Sequence, residues 1–444
     1  MKYFLLVLFL WPLFISCDRD NYVRISGQIV NADSVISVYT QDSIYNFSLD
    51  DDNFFSGKIY LNKASYVSLY PKVMDIYLNP GEDLEIYADF TDVSGTIHFR
   101  GTLGGVNNYM HEQERVVFFN NDYYELPEEE FVEKISKLIE ERTHLLMAKN
   151  FNMSFTELEK QRIRYAMGEK LVIYPFYHKQ LTDNKEYEPG KGFFDLLATF
   201  PISMDELMLT NNYRKFVLNY VYFRGGQGYD VSGDYADLIA DFILTTFSET
   251  SMRDFLLSEV LVRYIWENNG IENADYLLKA FKDNYVNAKR YSYIQSIVER
   301  CEKLLPGCLA PDFALETING QKIKQNDYKG RYLYMGIWAT WCEPCKRELG
   351  NFKKLSKKYR DKNIVFMTVA TDGLTNNKEW KELISQKDIR GVHAMLPEGS
   401  KFNEDYMVVS VPRFIVIDPS GKIVSANAER PSGKIDHFLD SLDI

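Results

Sequence analysis

The stretch "IWATWCEPCKREL" (residues 337–349) holds two cysteines, Cys342 and Cys345, two residues apart. It follows the mostly apolar segment "RYLYMGIW" at 331–338, which predicts a buried strand, and it opens a helix predicted from about Glu343 to Arg360. Cys342 is therefore expected where a strand ends and a helix begins, so that unpaired amides and the helix dipole favour its thiolate. The thiolate is the nucleophile, and Cys345, one helical turn away, can resolve a mixed disulfide formed on Cys342.

Two other uses of the cysteine pair have to be weighed. Zinc sites also use this spacing, but a closed zinc site needs two further ligands. His393 is the only histidine after residue 308 that lies outside the closing helix. We therefore expect no metal at the pair, and the sequence indicates no cofactor. A purely structural bridge is the other alternative, although closing so short a loop contributes little loop entropy.

Outward from the cysteines, strands and helices alternate. The sequence predicts a second buried strand at 364–370, a helix near 376–387, a strand in "VHAML", another in "VPRFIVID" at 411–418, a strand in "KIVSA" and a closing helix from about Gly433. Alternation of this kind implies a sheet covered by helices on both faces. We predict an α/β domain over residues 308–444.

Two regions with different periodicity precede this domain. Residues 22–103 alternate apolar and polar positions between turn-forming stretches, which predicts an antiparallel, β-sandwich-like domain. Residues 104–305 show helical periodicity and predict an all-α domain, in which "SFTE" at Ser154–Glu157 is interpreted as a capping box. The chain is thus expected to be multidomain: a β domain, a central helical domain and the α/β domain.

The first 17 residues have the build of a secretory signal peptide. A basic start at Lys2 precedes an apolar segment from Phe4 to Ile15, and "FISC" ends at Cys17. This ending is similar to a bacterial lipoprotein cleavage box, although Phe14 stands where Leu is usual. Lipidation of Cys17 would hold the protein at a membrane surface. Ordinary cleavage and an uncleaved anchor are the alternatives.

The net charge of the chain argues against nucleic acid as a binding partner. The chain of 444 residues has a formal net charge of -12. Binding to phosphate backbones needs a basic surface, so nucleic acid is not expected as a partner.

With "APDF" at 310–313 before it and "VPRF" at 411–414 after it, "WATWCEPCKREL" resembles the TlpA/ResA-type thiol-disulfide oxidoreductases of the AhpC/TSA and thioredoxin-like superfamily. The resemblance covers roughly the last third of the chain and implies a thioredoxin fold. It also implies that Pro412 is cis and faces the cysteines, and that Val411 pairs with an extended substrate segment. The two preceding regions resemble the amino-terminal extensions of such lipoproteins in Bacteroidetes.

Further site residues follow from the same stretch. A carboxylate beside a sulfur disfavours thiolate, so Glu343 and Glu348 are expected to make the pair a better reductant. The resemblance assigns this tuning to Glu348, and the alternative is an exposed carboxylate paired with Lys346 or Arg347. Trp341 is expected to border the reactive sulfur, and Trp338 to lie in the core.

Two further groups of residues complete the predictions. Glu343 and Pro344 are expected with Trp341 along the substrate-binding surface, and Pro344 fits the first helical turn. Cys301 and Cys308 flank "EKLLPG" and are expected either to form a second, structural disulfide or to remain buried free thiols.

These features predict an enzyme of the cell envelope that reduces disulfides of other exported proteins, fed by a membrane thiol donor. The resemblance implies a Gram-negative, membrane-anchored lipoprotein facing the periplasm, with an outer-membrane or surface position also open, and a link to cytochrome c maturation. The alternatives are an oxidase or isomerase of the same fold, and a binding lipoprotein whose amino-terminal domains carry the function.

Overall fold

A computed structural model describes residues 21–32, 34–40, 43–70, 74–115, 119–226, 234–372, 377–387 and 389–444 of the chain. The signal peptide and Cys17, the predicted lipidation site, lie outside these ranges. The contacts divide the protein into two compact units, and the division between Asn219 and Tyr220 falls inside a helix. The three predicted domain boundaries stay predictions. Within the described ranges, no helix combines the length and the apolar character that crossing a membrane requires.

Two four-stranded sheets begin the first unit. One has the order β4-β1-β7-β8 and the other β3-β2-β5-β6, and all pairings are antiparallel except that of β1 with β7. The strands are β1 (Tyr22–Val30), β2 (Val35–Tyr39), β3 (Ile44–Ser48), β4 (Phe54–Tyr60), β5 (Ser65–Tyr70), β6 (Met74–Leu78), β7 (Asp83–Asp89) and β8 (His98–Arg100). Their alternating inner residues form one apolar core, as the period-two pattern predicts.

Helices complete the first unit: α1 (Val93–Thr96), α2 (Gly104–Arg115), α3 (Glu128–Ala148), α4 (Met153–Leu181), α5 (Lys191–Leu197) and α6 (Asn211–Gly225), which continues into the second unit. Two 3₁₀ helices lie at Asn121–Glu125 and Asp205–Leu209. The capping box predicted at Ser154–Glu157 is wrong. Helix α4 begins two residues earlier because the side chain of Asn152 accepts the backbone N–H of Phe155 at 2.9 Å and takes the N-cap role.

The second unit opens with the helices α7 (Asp234–Thr246), α8 (Thr250–Asn268), α9 (Asp275–Asn284) and α10 (Ala288–Glu302). These helices lie within residues 104–305, the region whose helical periodicity predicts an all-α domain. After α10, residues 307–310 run beside the edge of the following sheet. There Gly307 donates to the carbonyl of Ile423, and Ile423 donates to the carbonyl of Cys308, both at 2.8 Å.

The α/β part has a seven-stranded sheet with the order β10-β9-β13-β12-β11-β14-β15. Its strands are β9 (Ala314–Thr317), β10 (Lys322–Lys324), β11 (Tyr332–Trp338), β12 (Ile364–Ala370), β13 (Val392–Met395), β14 (Arg413–Ile417) and β15 (Ile423–Ser425). Its helices are α11 (Glu343–Lys358), α12 (Asn377–Lys387), α13 (Phe402–Asp405) and α14 (Ile435–Asp440), with a 3₁₀ turn at Gln325–Tyr328. The architecture of a β part, helices and a thioredoxin-like α/β part confirms the predicted fold class.

Strand β11 positions the cysteines. It lies between β12, to which it is parallel, and β14, to which it is antiparallel. β12 is buried along its whole length, and β11 from Leu333 onward, as expected for central strands of a sheet covered on both faces. The carboxyl end of β11 at Trp338 therefore delivers the chain into α11 at one edge of the sheet.

Candidate active site

The two cysteines lie at the start of α11. Cys342 is the N-cap residue, and its Sγ accepts the backbone N–H of Cys345 at 3.3 Å. The sulfurs are joined in a disulfide with an S–S distance of 2.08 Å, and both residues are buried. The prediction that Cys342 lies at a strand-to-helix junction is confirmed. The amide that bonds its sulfur is one of the unpaired donors of a helix N-terminus, and such donors stabilise a thiolate.

An aspartate fixes the turn between β11 and α11. Asp372 accepts the backbone N–H of Thr340 at 3.0 and 3.1 Å, and the Thr340 hydroxyl donates to the same carboxylate at 2.6 Å. Asp372 is not among the residues that the sequence motifs predict for the site. It follows the second of two adjacent parallel strands, whose carboxyl ends meet at one sheet edge, and that position was the available signal.

The loop before β14 faces the disulfide. The Val411–Pro412 peptide bond is cis, as the family resemblance implies. The Sγ of Cys342 lies 3.7 Å from the carbonyl oxygen of Val411. Pro412 and Cys345 line the same small cavity of about 10 Å³, close to the space that one water molecule needs. The structure thus brings both cysteines together with Val411 and Pro412.

Glu348 completes the inner side of this site. It lies three residues after Cys345, on the same face of α11, and lines the same cavity. Its side chain is only 9% exposed, and its carboxylate accepts the Ser432 hydroxyl at 2.6 Å and the Ser432 backbone N–H at 3.1 Å. The alternative of an exposed, ion-paired carboxylate is therefore wrong. Lys346 instead contacts Glu343 at 2.9 Å.

The outer side of the site is exposed. Trp341 is 70% exposed, and its place beside the reactive sulfur stays a prediction. Trp338 is 3% exposed and packs in the core with the cysteines, as expected. Glu343 and Pro344 are exposed in the first turn of α11. An exposed aromatic ring beside a buried disulfide provides a contact surface for an incoming polypeptide.

Two further cysteines of the described residues, Cys301 and Cys308, are not bridged to each other. Both are free thiols, as the second alternative expects, but only Cys301 is buried, whereas Cys308 is half-buried. Cys301 is buried on α10, and burial raises the pKa of its thiol to about 11. The Cys308 thiol donates to the carbonyl of Glu302 at 3.4 Å, while its backbone pairs with β15. These contacts leave Cys308 fixed at the sheet edge.

His393 offers no ring nitrogen to a metal. Its Nε2 donates to the carbonyl of Ile389 at 2.8 Å, and its Nδ1 accepts the hydroxyl of Thr368 at 2.8 Å. Burial lowers the pKa of the His393 side chain, which favours the neutral ring. Both ring nitrogens of His393 are thus engaged in hydrogen bonds within the fold.

Residues 306–426 match the AhpC/TSA family. The thioredoxin-like protein YneN of Bacillus subtilis is 34% identical over 117 residues, which cover 26% of this chain and 68% of that protein. The thiol-disulfide oxidoreductase ResA of Bacillus cereus is 32% identical over 123 residues, 28% of this chain and 69% of that one. Among solved structures, this chain is similar to the crystal structure of the thioredoxin domain of a thiol-disulfide oxidoreductase from Bacteroides vulgatus. The two sequences are 26% identical, and the alignment covers 32% of this chain and 99% of that one, with a TM-score of 0.29.

Proposed function

This chain belongs, through its carboxy-terminal third, to the thioredoxin-like thiol-disulfide oxidoreductases of the AhpC/TSA family, and on that premise we propose that it reduces disulfides of other exported proteins. One observation carries the proposal. The Cys342–Cys345 disulfide lies at the N-terminus of α11, and the Sγ of Cys342 is 3.7 Å from the carbonyl oxygen of Val411. A reactive pair and a backbone acceptor for an extended segment are thus in contact.

The reaction starts from the dithiol form. The Cys342 thiolate attacks one sulfur of a substrate disulfide, forming a mixed disulfide and releasing the other substrate sulfur as a thiolate, which takes up a proton. Cys345 then attacks the Sγ of Cys342 and releases the second substrate thiol. Two electrons have passed to the substrate, and the Cys342–Cys345 disulfide seen here remains. A membrane thiol donor must reduce it before the next cycle.

Glu348 acts in this cycle through the cavity that it shares with Cys345. Its carboxylate disfavours a thiolate next to it, which raises the free energy of the reduced, ionised pair and makes the pair a stronger reductant. The same carboxylate can accept the Cys345 proton when Cys345 attacks the mixed disulfide. Ser432 holds the carboxylate in place through its hydroxyl and its backbone N–H.

The cellular setting rests on the amino-terminal sequence. Residues 1–17 have the build of a signal peptide ending in Cys17. We place the enzyme in the envelope of a Gram-negative bacterium, anchored by lipidated Cys17 and facing the periplasm. Disulfide-containing envelope proteins are its substrates, and cytochrome c maturation is one destination for the electrons.

The test uses the chain from residue 18 onward and measures reduction of insulin by the chemically reduced protein. We expect the variants Cys342→Ser and Cys345→Ser to lose turnover. Cys345→Ser should also accumulate a mixed disulfide with insulin, because the resolving thiol is missing. The matched control is Cys308→Ser, which removes a free thiol of the same part of the chain and should keep the wild-type rate. Wild-type protein that fails to reduce insulin would overturn the proposal.

A further inference from the structure

A buried cation follows the cis peptide directly. Arg413 is 3% exposed, and burial lowers the pKa of its guanidinium to about 10, so it is charged at neutral pH. Among the described residues it has no carboxylate partner, and its N–H groups donate to backbone carbonyls instead. The acceptors are Ala426 at 3.1 Å, Tyr406 at 2.7 Å, Met407, and Asn269 at 3.1 Å.

These carbonyls come from three places in the second unit. Tyr406 and Met407 begin the segment 406–412 that ends at the cis peptide, and Ala426 follows β15. Asn269 belongs to the corner between α8 and α9, where it takes a left-handed conformation with φ of 51°. We call residues 268–270 the α8–α9 corner. One guanidinium therefore fixes the segment 406–412 and the corner at the same time.

A second link joins the same corner to the same part of the fold. The Nδ2 of Asn427 donates to the carbonyl of Asn268 at 2.7 Å and contacts that of Asn269 at 3.4 Å. The Ser410 hydroxyl lies 3.5 Å from the Oδ1 of Asn269. Ser410 immediately precedes Val411, so the corner reaches the residue next to the proposed docking position.

The corner lies outside the part of the chain that the family shares. The AhpC/TSA match spans residues 306–426, whereas the corner is contributed by the helices before it. A segment that binds an extended partner by its backbone gains affinity when it is ordered in advance, because less conformational entropy is lost on binding. The bonds from Arg413 and Asn427 supply this ordering from the helical side.

We propose that the α8–α9 corner holds the segment 406–412 ready for docking of protein disulfides, with Arg413 and Asn427 as positioning residues. The proposal rests on the proposed reductase function and extends it. It gives the helices before the α/β part a role in substrate affinity, while the chemistry at Cys342 and Cys345 stays independent of them.

The test compares the full chain from residue 18 with its Asn427→Ala variant, which removes both amide bonds and leaves Arg413 in place. We expect the KM for insulin to rise roughly fivefold, the factor that corresponds to one ordinary hydrogen bond. The kcat, the reduction potential of the pair and the rate with the small disulfide 5,5′-dithiobis(2-nitrobenzoic acid) should not change. An unchanged KM, or an equal loss with the small disulfide, would overturn the proposal.

Asn363→Ala is the matched control, because Asn363 Nδ2 donates to the carbonyl of Gly330 at 2.9 Å in the same sheet layer but away from the corner. Hydrogen exchange of the amides in 406–412 gives a readout that needs no activity. We expect it to speed up in Asn427→Ala and not in Asn363→Ala. Wild-type protein inactive on insulin would refute the reductase function, whereas unchanged exchange in Asn427→Ala would refute the role of the corner.

Discussion

Glu159 in the first compact unit and Glu348 in the second are buried carboxylates with opposite surroundings. Glu159 in α4 is 0% exposed and fully paired: Arg162 contacts it with two bonds of 2.7 Å, and the hydroxyl of Tyr66 donates at 2.5 Å. Glu348 in α11 is also buried, but within the described residues it has no ion pair and is held by Ser432 alone. A buried charge without a cation is costly, so its presence beside a disulfide needs a reason.

The different surroundings of the two carboxylates indicate a structural role for Glu159 and a functional role for Glu348. A bidentate ion pair with a third hydrogen bond compensates the burial of Glu159. The carboxyl group of Glu348 lines the cavity that it shares with Cys345. We therefore expect changes at Glu159 to alter stability, and changes at Glu348 to alter the chemistry of the cysteines.

The largest effect on stability is expected from Arg162→Met. This change leaves the Glu159 carboxylate buried without its cation, which costs about 3–5 kcal/mol in systems of this kind. We expect the first urea unfolding transition, followed by far-ultraviolet circular dichroism, to move to much lower concentration. The reduction potential of the cysteine pair should stay at the wild-type value.

The double variant Glu159→Gln with Arg162→Met is the control for that experiment. It removes the buried charge together with its partner, so it should lose less stability than Arg162→Met alone. If Arg162→Met cost less than about 1 kcal/mol, as an exposed pair does, Glu159 would not be the structural counterpart of Glu348.

The next effect is on the redox chemistry. Glu348→Gln removes the negative charge beside Cys345, so the pKa values of the cysteine pair should fall by about 1 unit or more. Thiolate is stabilised, and the reduction potential should become less negative by roughly 30 mV for each 1.4 kcal/mol. Alkylation rates against pH and equilibration in graded thiol buffers measure the two quantities.

Asp361→Asn is the matched control, because Asp361 is an exposed carboxylate of the same part of the chain, paired with Arg360 at 2.9 Å. It removes the same charge and should leave both quantities unchanged. Cysteine pKa values that are identical in Glu348→Gln and wild type would remove Glu348 from the mechanism and make the two carboxylates equivalent.

His393 is a third kind of buried ionisable side chain, one that stays neutral. Burial lowers the pKa of the His393 side chain below its unfolded value of about 6.5. The unfolded chain therefore binds a proton that the folded protein resists, and stability falls as pH drops from about 6.5 through the lowered folded pKa. We expect wild type to lose more stability between pH 7 and pH 5 than His393→Gln, measured by urea unfolding at each pH. Parallel pH profiles would contradict this account.

The smallest predicted effect is a change in stability from a substitution in α11, the helix that begins at the cysteines. Gly350 lies inside α11, is exposed, and a Cβ added there would meet nothing within 4 Å. Gly350→Ala should therefore raise the free energy of unfolding by about 0.5–1 kcal/mol without changing the reduction potential. A lower stability would show that α11 needs flexibility at this position.

Local features of the site were predictable, and contacts between distant segments were not. The strand, the N-cap cysteine and the helix are consecutive in sequence, so the junction at Cys342 followed from periodicity and capping alone. The contact of Glu348 with Ser432 joins positions 84 residues apart, and that of Arg413 with Asn269 joins positions 144 apart. No periodic pattern encodes such pairings.

The N-terminus of α4 and the cis bond before Pro412 show what the sequence alone could not predict. The helix α4 was expected, but Asn152 took the cap in place of Ser154, since both are good N-cap residues and tertiary packing decides between them. The cis bond before Pro412 followed only from family resemblance, because most bonds before proline are trans. Arg413, a single charge inside the apolar strand segment "VPRFIVID", is the sequence feature that signals a special environment beside Pro412.

The reduction potential of the Cys342–Cys345 pair decides the direction in which this protein passes electrons. It is obtained by equilibrating the chain from residue 18 onward in graded thiol buffers and trapping the free thiols. A value near or below about -270 mV, that of thioredoxin, is what a reductase with Glu348 beside its cysteines predicts. A value near about -120 mV, that of a strong oxidant, would contradict the proposed direction of electron flow.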